Sequence, residues 1–343
     1  MAEFLEGTEL ADGWRVVSRV QRNPTATGGN FSIGYIVERS VGRAITRAFL
    51  KVLNLRTALS AADPLREIER LTTAFNFERD TLTFCKNERL RRVATIIEDG
   101  QYTPPNSQIP IFYIIVELAD GDIREQLAQV NRLNMAWTFR TLHHITTALQ
   151  QLHTHGIAHQ DLKPSNVLIF GVVGAKVSDL GCADSRGKTS PRGHLTVAGD
   201  FSYAPPELLY NEVSQDWCIR RQGCDLYLLG SLVVFFFTGG CSLTASILSH
   251  LHGDHRPGRW PHDYRSVLPY VRDAFEGALE TIALSIPPEV RSHVITTIRC
   301  LCDPDPRLRG DQIGGHGSQF NLERIISRFD VLATRAQHGL LAQ

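Results

Sequence analysis

His159-Gln160-Asp161-Leu162-Lys163-Pro164-Ser165-Asn166 is the stretch on which the reading of this chain turns. It sets an acid (Asp161), a base (Lys163) and a carboxamide (Asn166) within six residues, with Pro164 stiffening the backbone between them. A carboxylate accepts a proton from a hydroxyl, an ammonium offsets charge on a transferring group, and a carboxamide oxygen suits a hard cation.

Working outward, Asp179-Leu180-Gly181 follows thirteen residues after Asn166 and supplies a further acid. The segment from Asp179 to Glu207 is rich in Ser, Thr, Gly and basic residues and ends Ala204-Pro205-Pro206-Glu207. Asp225 opens an apolar run to Phe237, broken only by Gly230 and Ser231, which predicts a buried helix. Asp305-Pro306-Arg307-Leu308-Arg309 forms a charged turn near the C-terminus. Upstream of the opening stretch, apolar residues at Trp137, Leu142, Ile145, Leu149 and Leu152 recur at a helical period.

Nearer the N-terminus, residues 14–20 and 31–38 read as strands, with Asn23-Pro24 and Gly28-Gly29-Asn30 turning between them. Residues 47–53 read as a third strand, in which Lys51 interrupts an apolar run. An isolated buried ammonium is costly, so a charged partner is expected. Asp63-Pro64 then starts a helical pattern through Leu71, prolonged by residues 75–85. Residues 93–97 and 111–118 read as two more strands.

In this order the motifs resemble those of the protein kinase family, whose catalytic loop reads H-R-D-L-x-x-x-N and is followed by D-F-G, A-P-E and D-P-x-x-R. The resemblance covers about residues 14–335 and implies an α+β, bilobal fold. A small antiparallel-sheet N-lobe with one helix (about 14–117) would precede a larger, mainly helical C-lobe (about 118–335). Residues 1–13 would be an N-terminal extension and 336–343 a tail. The implied activity is transfer of the ATP γ-phosphoryl group to Ser or Thr hydroxyls of a protein substrate, with Mg²⁺. Asp161 would orient and deprotonate the hydroxyl, and Lys163 would offset phosphate charge. Asn166 and Asp179 would hold the metal. Lys51 would position the α and β phosphates, paired with Glu67, or failing that Glu69. Gly28 and Gly29 would lie in the phosphate-covering hairpin, aligned over residues 27–32. Val116 would be the gatekeeper, with the backbone of Glu117 and Ala119 bonding adenine. Asp122 would either reach the ribose or cap a helix. Asp225 would anchor the catalytic loop backbone, and Glu207 would pair with Arg309.

The chain departs from the family pattern at Gln160 for Arg, Leu180 for Phe, Asp200 for Thr and in a worn glycine loop. The worn glycine loop, Gln160 and Leu180 favour a catalytically weak pseudokinase acting as a nucleotide-binding scaffold, and a small-molecule phosphotransferase is a further alternative. Retention of Lys51, Asp161, Asn166 and Asp179 argues against the first, and the P-E segment with D-P-x-x-R against the second. Gln160 cannot receive an activation-segment phosphate as Arg would. The segment is therefore expected to work unphosphorylated, unless a basic residue such as Arg186 or Arg192 substitutes.

Bulk properties agree. The chain has 343 residues, 43% apolar and 21% charged, enough for a substantial core. Its 36 basic and 36 acidic residues give zero formal net charge, which argues against a strongly basic nucleic-acid binder. The longest apolar run is too short to span a bilayer, and the acidic start Met-Ala-Glu-Phe-Leu-Glu is not a secretory signal. No membrane partner is expected. Seven scattered cysteines without a C-x-x-C pair suit a reducing, cytoplasmic setting. Four histidines, 250, 252, 255 and 262, cluster with Arg256 and Arg259 but lack a metal-ligand spacing. A docking loop or plain insertion is expected there.

Overall fold

The computed structural model describes residues 2–21, 32–105, 107, 109–129, 133–312 and 319–341. Gly28 and Gly29 lie outside the described residues. The chain divides into two compact units, Met1–Asp120 with Ser178–Gly181, and Gly121–Val177 with Cys182–Gln343.

The first unit is built on a five-stranded antiparallel sheet: β1 (Arg15–Arg19), β2 (Ser32–Val41), β3 (Ala44–Leu53), β4 (Ile96–Tyr102) and β5 (Ile111–Glu117), in the order β1-β2-β3-β5-β4. Alternation along β3 sends Ala48, Leu50 and Val52 into one core with Tyr35, Tyr113 and Ile115. Lys51 therefore points to the other face, opposite Gly34 and Ile114. Leu5, Leu10 and Trp14 belong to the same core. The residues expected as a separate extension thus cover one face of the sheet, with Gly7 N–H bonded to Val16 O and Val16 N–H to Thr8 O. Strand β4 begins later and runs further than residues 93–97. As the edge strand it tolerates Glu98, Asp99 and Gln101, whose polarity hides it from an apolar search.

A short helix α1 (Arg56–Leu59) precedes α2 (Pro64–Asn87). The Asp63 carboxylate caps α2 by accepting from Arg66 N–H, and Pro64 occupies the first turn, where a missing N–H costs nothing. Leu71, Phe75, Leu82 and Cys85 form the buried stripe of α2, and Glu78 interrupts it.

The second unit begins with β6 (Gly121–Asp122), α3 (Ile123–Ala128) and α4 (Met135–Thr154). Short strands follow: β7 (Ile157–Ala158), β8 (Val167–Phe170), β9 (Gly174–Val177) and β10 (Asp184–Ser185). They pair as β6-β8-β9 and β7-β10. Then come α5 (Pro206–Leu209), α6 (Gly223–Thr238), α7 (Leu243–His250), α8 (Tyr264–Ala283), α9 (Pro288–Cys302) and α10 (Glu323–Gln337). Every residue of α6 from Gly223 to Phe237 is buried, so this helix is the unit's core rather than a surface element. A Cβ on Gly230 would run into Cys302 Sγ of α9, so the small residue sets how closely the two helices approach. The α6 helix stops at Gly239, which takes the left-handed conformation (φ 73°) that glycine adopts without penalty. No single helix among the described residues is long and apolar enough to cross a membrane.

Candidate active site

Catalytic-loop residues His159, Gln160, Asp161, Lys163 and Asn166 are all buried. The device that holds them is Asp225, in the first turn of α6. Its carboxylate accepts from the backbone N–H of His159 (2.7 Å) and Gln160 (2.8 Å), from Gln160 Nε2 (3.0 Å) and from His153 Nε2 (2.8 Å). Burial opposes the charge on Asp225, but these donors and the nearby imidazoles outweigh it and hold the carboxyl below the usual aspartate value. The expected anchoring is present. It also supports a strained backbone, since Gln160 has φ 66° in a region unfavourable for residues with a side chain.

Downstream, the Asp161 carboxylate is oriented at both oxygens. Oδ1 accepts from Asp200 N–H (2.9 Å), while Oδ2 accepts from Asn166 Nδ2 (3.1 Å) and lies 3.1 Å from Lys163 Nζ. Lys163 Nζ also reaches Asp200 Oδ2 at 3.5 Å, a contact that the Thr-to-Asp departure supplies. Gly199 makes this possible: a Cβ there would stand 2.6 Å from Asp161 Oδ1. Asn166 Nδ2 additionally donates to Asp161 O at 2.8 Å, which fixes the amide orientation, and its Oδ1 accepts from Ser165 Oγ at 3.2 Å.

In the first unit, Lys51 Nζ lies 2.6 Å from Glu78 Oε1 and 3.2 Å from Asp179 Oδ1. Burial disfavours the ammonium, yet the Asp179 and Glu78 carboxylates prevail and raise its pKa above the ordinary lysine value. Glu78 is also raised, because burial and the neighbouring Asp179 outweigh Lys51. Asp179 adopts φ 60°, a second left-handed non-glycine residue at a motif position.

The expected partner Glu67 is corrected by this geometry. Glu67 bonds Arg70 on the same exposed helix surface (2.6 Å), and it is Glu78 that meets Lys51. The two glutamates are eleven residues apart, close to three full turns, so they share one helix stripe but stand ~16 Å apart along it. Glu69, the fallback, does not pair with Lys51 either: Glu78 and Asp179 occupy the ammonium. A signal for Glu78 was available. It is the single charge in the buried stripe Leu71, Phe75, Leu82, Cys85, where an unpaired carboxylate would be expensive.

Other expected residues fall as follows. Val116 and Glu117 end β5, and Glu117 holds residue 95 by a backbone donation to Thr95 O (3.0 Å) and a side-chain acceptance from Thr95 N–H (2.7 Å). Ala119 follows, partly buried. Asp122 caps α3 in a capping box, accepting from Arg124 and Glu125 N–H, and its second oxygen takes the Arg124 guanidinium at 2.9 Å. The cap thus engages one oxygen and the Arg124 side chain the other. Glu207 and Arg309 form a bidentate pair with both contacts at 2.6 Å. Arg309 is fully buried, donates Nε to Asp303 O (2.8 Å), and lies over the Tyr227 ring.

Among the described residues, no group of three or more His, Cys, Asp or Glu is arranged to enclose a metal. His252, His255 and His262 are engaged in ring packing instead, with His255 stacked on Tyr270 at 3.8 Å between centroids and edge-on to Trp260, while His250 hydrogen-bonds Ser246 O and Thr281 Oγ1. Asp179 and Asn166 each carry an oxygen of the kind that suits a hard cation. None of the seven cysteines is in a disulfide.

Comparison with known proteins agrees with this geometry. The family described as Protein kinase domain matches residues 66–309, most of the chain, beginning after the Lys51 strand and ending at Arg309. An Aurora kinase of Debaryomyces hansenii is 30% identical over 128 residues, covering 37% of this chain and 30% of that protein. Ribosomal protein S6 kinase 2 alpha of Gallus gallus is 25% identical over 227 residues, covering 62% and 26% respectively. Serine/threonine-protein kinase RAD53 of Saccharomyces cerevisiae is 25% identical over 313 residues, covering 86% of this chain and 34% of its own length. The chain therefore spans about a third or less of the length of these relatives. With the antiparallel sheet, the helical second unit, the anchored catalytic loop and the Glu207–Arg309 pair in place, the chain belongs to the protein kinase family.

Proposed function

We propose that this chain transfers the γ-phosphoryl group of MgATP to serine or threonine hydroxyls of protein substrates. The observation that carries the reading is the Asp161 carboxylate, buried and oriented at both oxygens by Asp200 N–H, Asn166 and Lys163. A bond forms between the acceptor hydroxyl oxygen and the γ-phosphorus, the β–γ bridging P–O bond breaks, and the hydroxyl proton passes to Asp161. Lys163 offsets negative charge on the transferring group, and Lys51, steadied by Glu78, positions the α and β phosphates. Asp179 and Asn166 are the proposed metal ligands; magnesium, when bound, neutralises phosphate charge. Lys163, two residues beyond Asp161, and the serine/threonine-kinase name of RAD53 support serine and threonine as acceptors.

Incubation with labelled ATP and core histones, wild type beside Asp161→Asn, tests the reading. Label transfer by wild type and its loss in the variant are expected. Equal labelling by both would overturn it.

A further inference from the structure

The absence of arginine at position 160 leaves open what holds the segment from Asp184 to Asp200. Neither basic residue weighed from the sequence does so centrally. Arg186 lies over the Trp217 ring at 5.9 Å, and Arg192 donates to Ala198 O at 2.8 Å. The guanidinium beneath the segment belongs to Arg221. It comes from a π-helical turn, Cys218–Gln222, directly before α6.

Arg221 is 1% exposed, and each of its nitrogens has a partner. Nε lies 3.2 Å from Asp184 Oδ2, Nη2 donates to Gly193 O at 2.7 Å, and Nη1 donates to Gln160 Oε1 at 3.1 Å. Gln160 returns a bond from Nε2 to Arg221 O at 2.8 Å. One planar cation therefore joins two points of the segment to the residue preceding Asp161. Asp184 is itself buried, and its other oxygen accepts from Trp217 Nε1 at 2.7 Å. A buried guanidinium requires an anion, and here the chain supplies one. Gly193 permits the close approach, since a Cβ there would stand 3.1 Å from Asp184 Oδ2. Ser190 is buried and bonded through its Oγ to Ser185 N–H, so it is spent on the turn. Arg220 Nη2 adds contacts to Gly193 O and Leu195 O.

We propose that the Arg221–Asp184 pair holds the 184–200 segment assembled without any phosphate, with Arg221 as a positioning residue for Asp161 acting through Gln160. Asp184 takes the place that a phosphate on the segment would occupy toward a guanidinium, and a real phosphate would have to displace it. The positioning role rests on the transfer reading above, whereas the anchoring of the segment does not.

The test uses the full chain, phosphatase-treated and shown by mass spectrometry to carry no phosphate. Amide hydrogen exchange over residues 185–195 is compared among wild type, Arg221→Gln and Asp184→Asn, with α9 as an internal control for folding. Slow exchange in wild type is expected, at least tenfold faster exchange in both variants, and no change in α9. Arg221→Lys, which keeps the charge but offers one nitrogen in place of three, should recover only part of the protection. If Arg221→Gln fails to fold, the near-isosteric Asp184→Asn carries the same reading. In labelled transfer to core histones, phosphatase treatment should leave wild-type kcat within twofold. Arg221→Gln should lower kcat at least tenfold with KM for ATP within twofold. Wild-type exchange as fast as that of the variants, or wild-type kcat lost on phosphatase treatment, would overturn the proposal. If exchange behaves as stated while wild type transfers nothing, the anchor stands and the transfer reading fails instead.

Discussion

Two ion contacts of equal shortness differ in everything else. Arg309 meets Glu207 one to one at 2.6 Å, with side-chain exposures of 0% and 5%. Lys51 meets Glu78 at the same 2.6 Å but shares its ammonium with Asp179, and exposure rises to 22% at Lys51 and 43% at Asp179. The first set is balanced and enclosed, and further backbone carbonyls occupy the guanidinium. The second has formally one cation against two carboxylates and is open to solvent. A closed, balanced pair specifies geometry. An open set with excess negative charge at Asp179 is suited to receive a cation and the phosphates that accompany it.

That contrast is most exposed to failure at Arg309. Arg309→Ala leaves the Glu207 carboxylate buried without its partner and should cost about 3–5 kcal/mol, read from urea unfolding. A stability equal to wild type would show that the pair is ornamental. Lys51→Met should behave in the opposite way. Transfer from labelled ATP should fall at least ~100-fold, about 2.7 kcal/mol in the barrier. Unfolding free energy should fall by less than in Arg309→Ala, because Lys51 and Asp179 are partly solvated even though Glu78 loses its partner. A variant that unfolds as readily as Arg309→Ala would erase the distinction between the two contacts.

A finer test separates the two glutamates. Glu78→Gln should slow transfer about tenfold, near 1.4 kcal/mol, while Glu67→Gln stays within about twofold. Equal effects would mean that the helix presents both to the same lysine, which a ~16 Å axial separation forbids. Asp225 supplies the smallest effect and a third kind of buried carboxylate, satisfied by N–H donors rather than by a guanidinium. Its carboxyl is depressed in the folded state, so its stabilisation is complete above the ordinary aspartate value near 4. That stabilisation is lost as pH falls through the lower folded value. Between pH 5 and 3 the unfolding free energy of wild type should therefore fall more steeply than that of Asp225→Asn. The excess is below about 1.4 kcal/mol per pH unit, the limit for one proton. Parallel curves would show that Asp225 does not titrate differently in the two states.

Recognition of the catalytic loop, the acid before Gly181, the buried helix opened by Asp225 and the Glu207–Arg309 pair needed no coordinates. Each is a short string of chemically demanding residues, and their order along the chain is itself informative. Strand and helix starts were legible where a local cause exists, as with Asp63-Pro64 at α2. The extent of the polar edge strand β4 was not, because Glu98, Asp99 and Gln101 break any apolar period. The packing of Leu5 and Leu10 under the sheet was equally invisible, since two leucines in a polar segment announce no partner.

What the sequence by itself determined is which reactive groups the chain carries, on which kind of element, and hence the family. Only the tertiary structure decided which glutamate reaches Lys51 and which arginine lies beneath the segment after Asp184. The reason is physical in both cases. Helical periodicity marks Glu78 as the single charge in the buried stripe of α2 but does not give its level along the axis, so its place opposite Lys51 is fixed only once the sheet is set against the helix. A buried cation such as Arg221 is satisfied by Asp184, Gly193 and Gln160, groups 28 to 61 residues distant for the two hydrogen bonds. Nothing local in the chain marks a partnership made at that range.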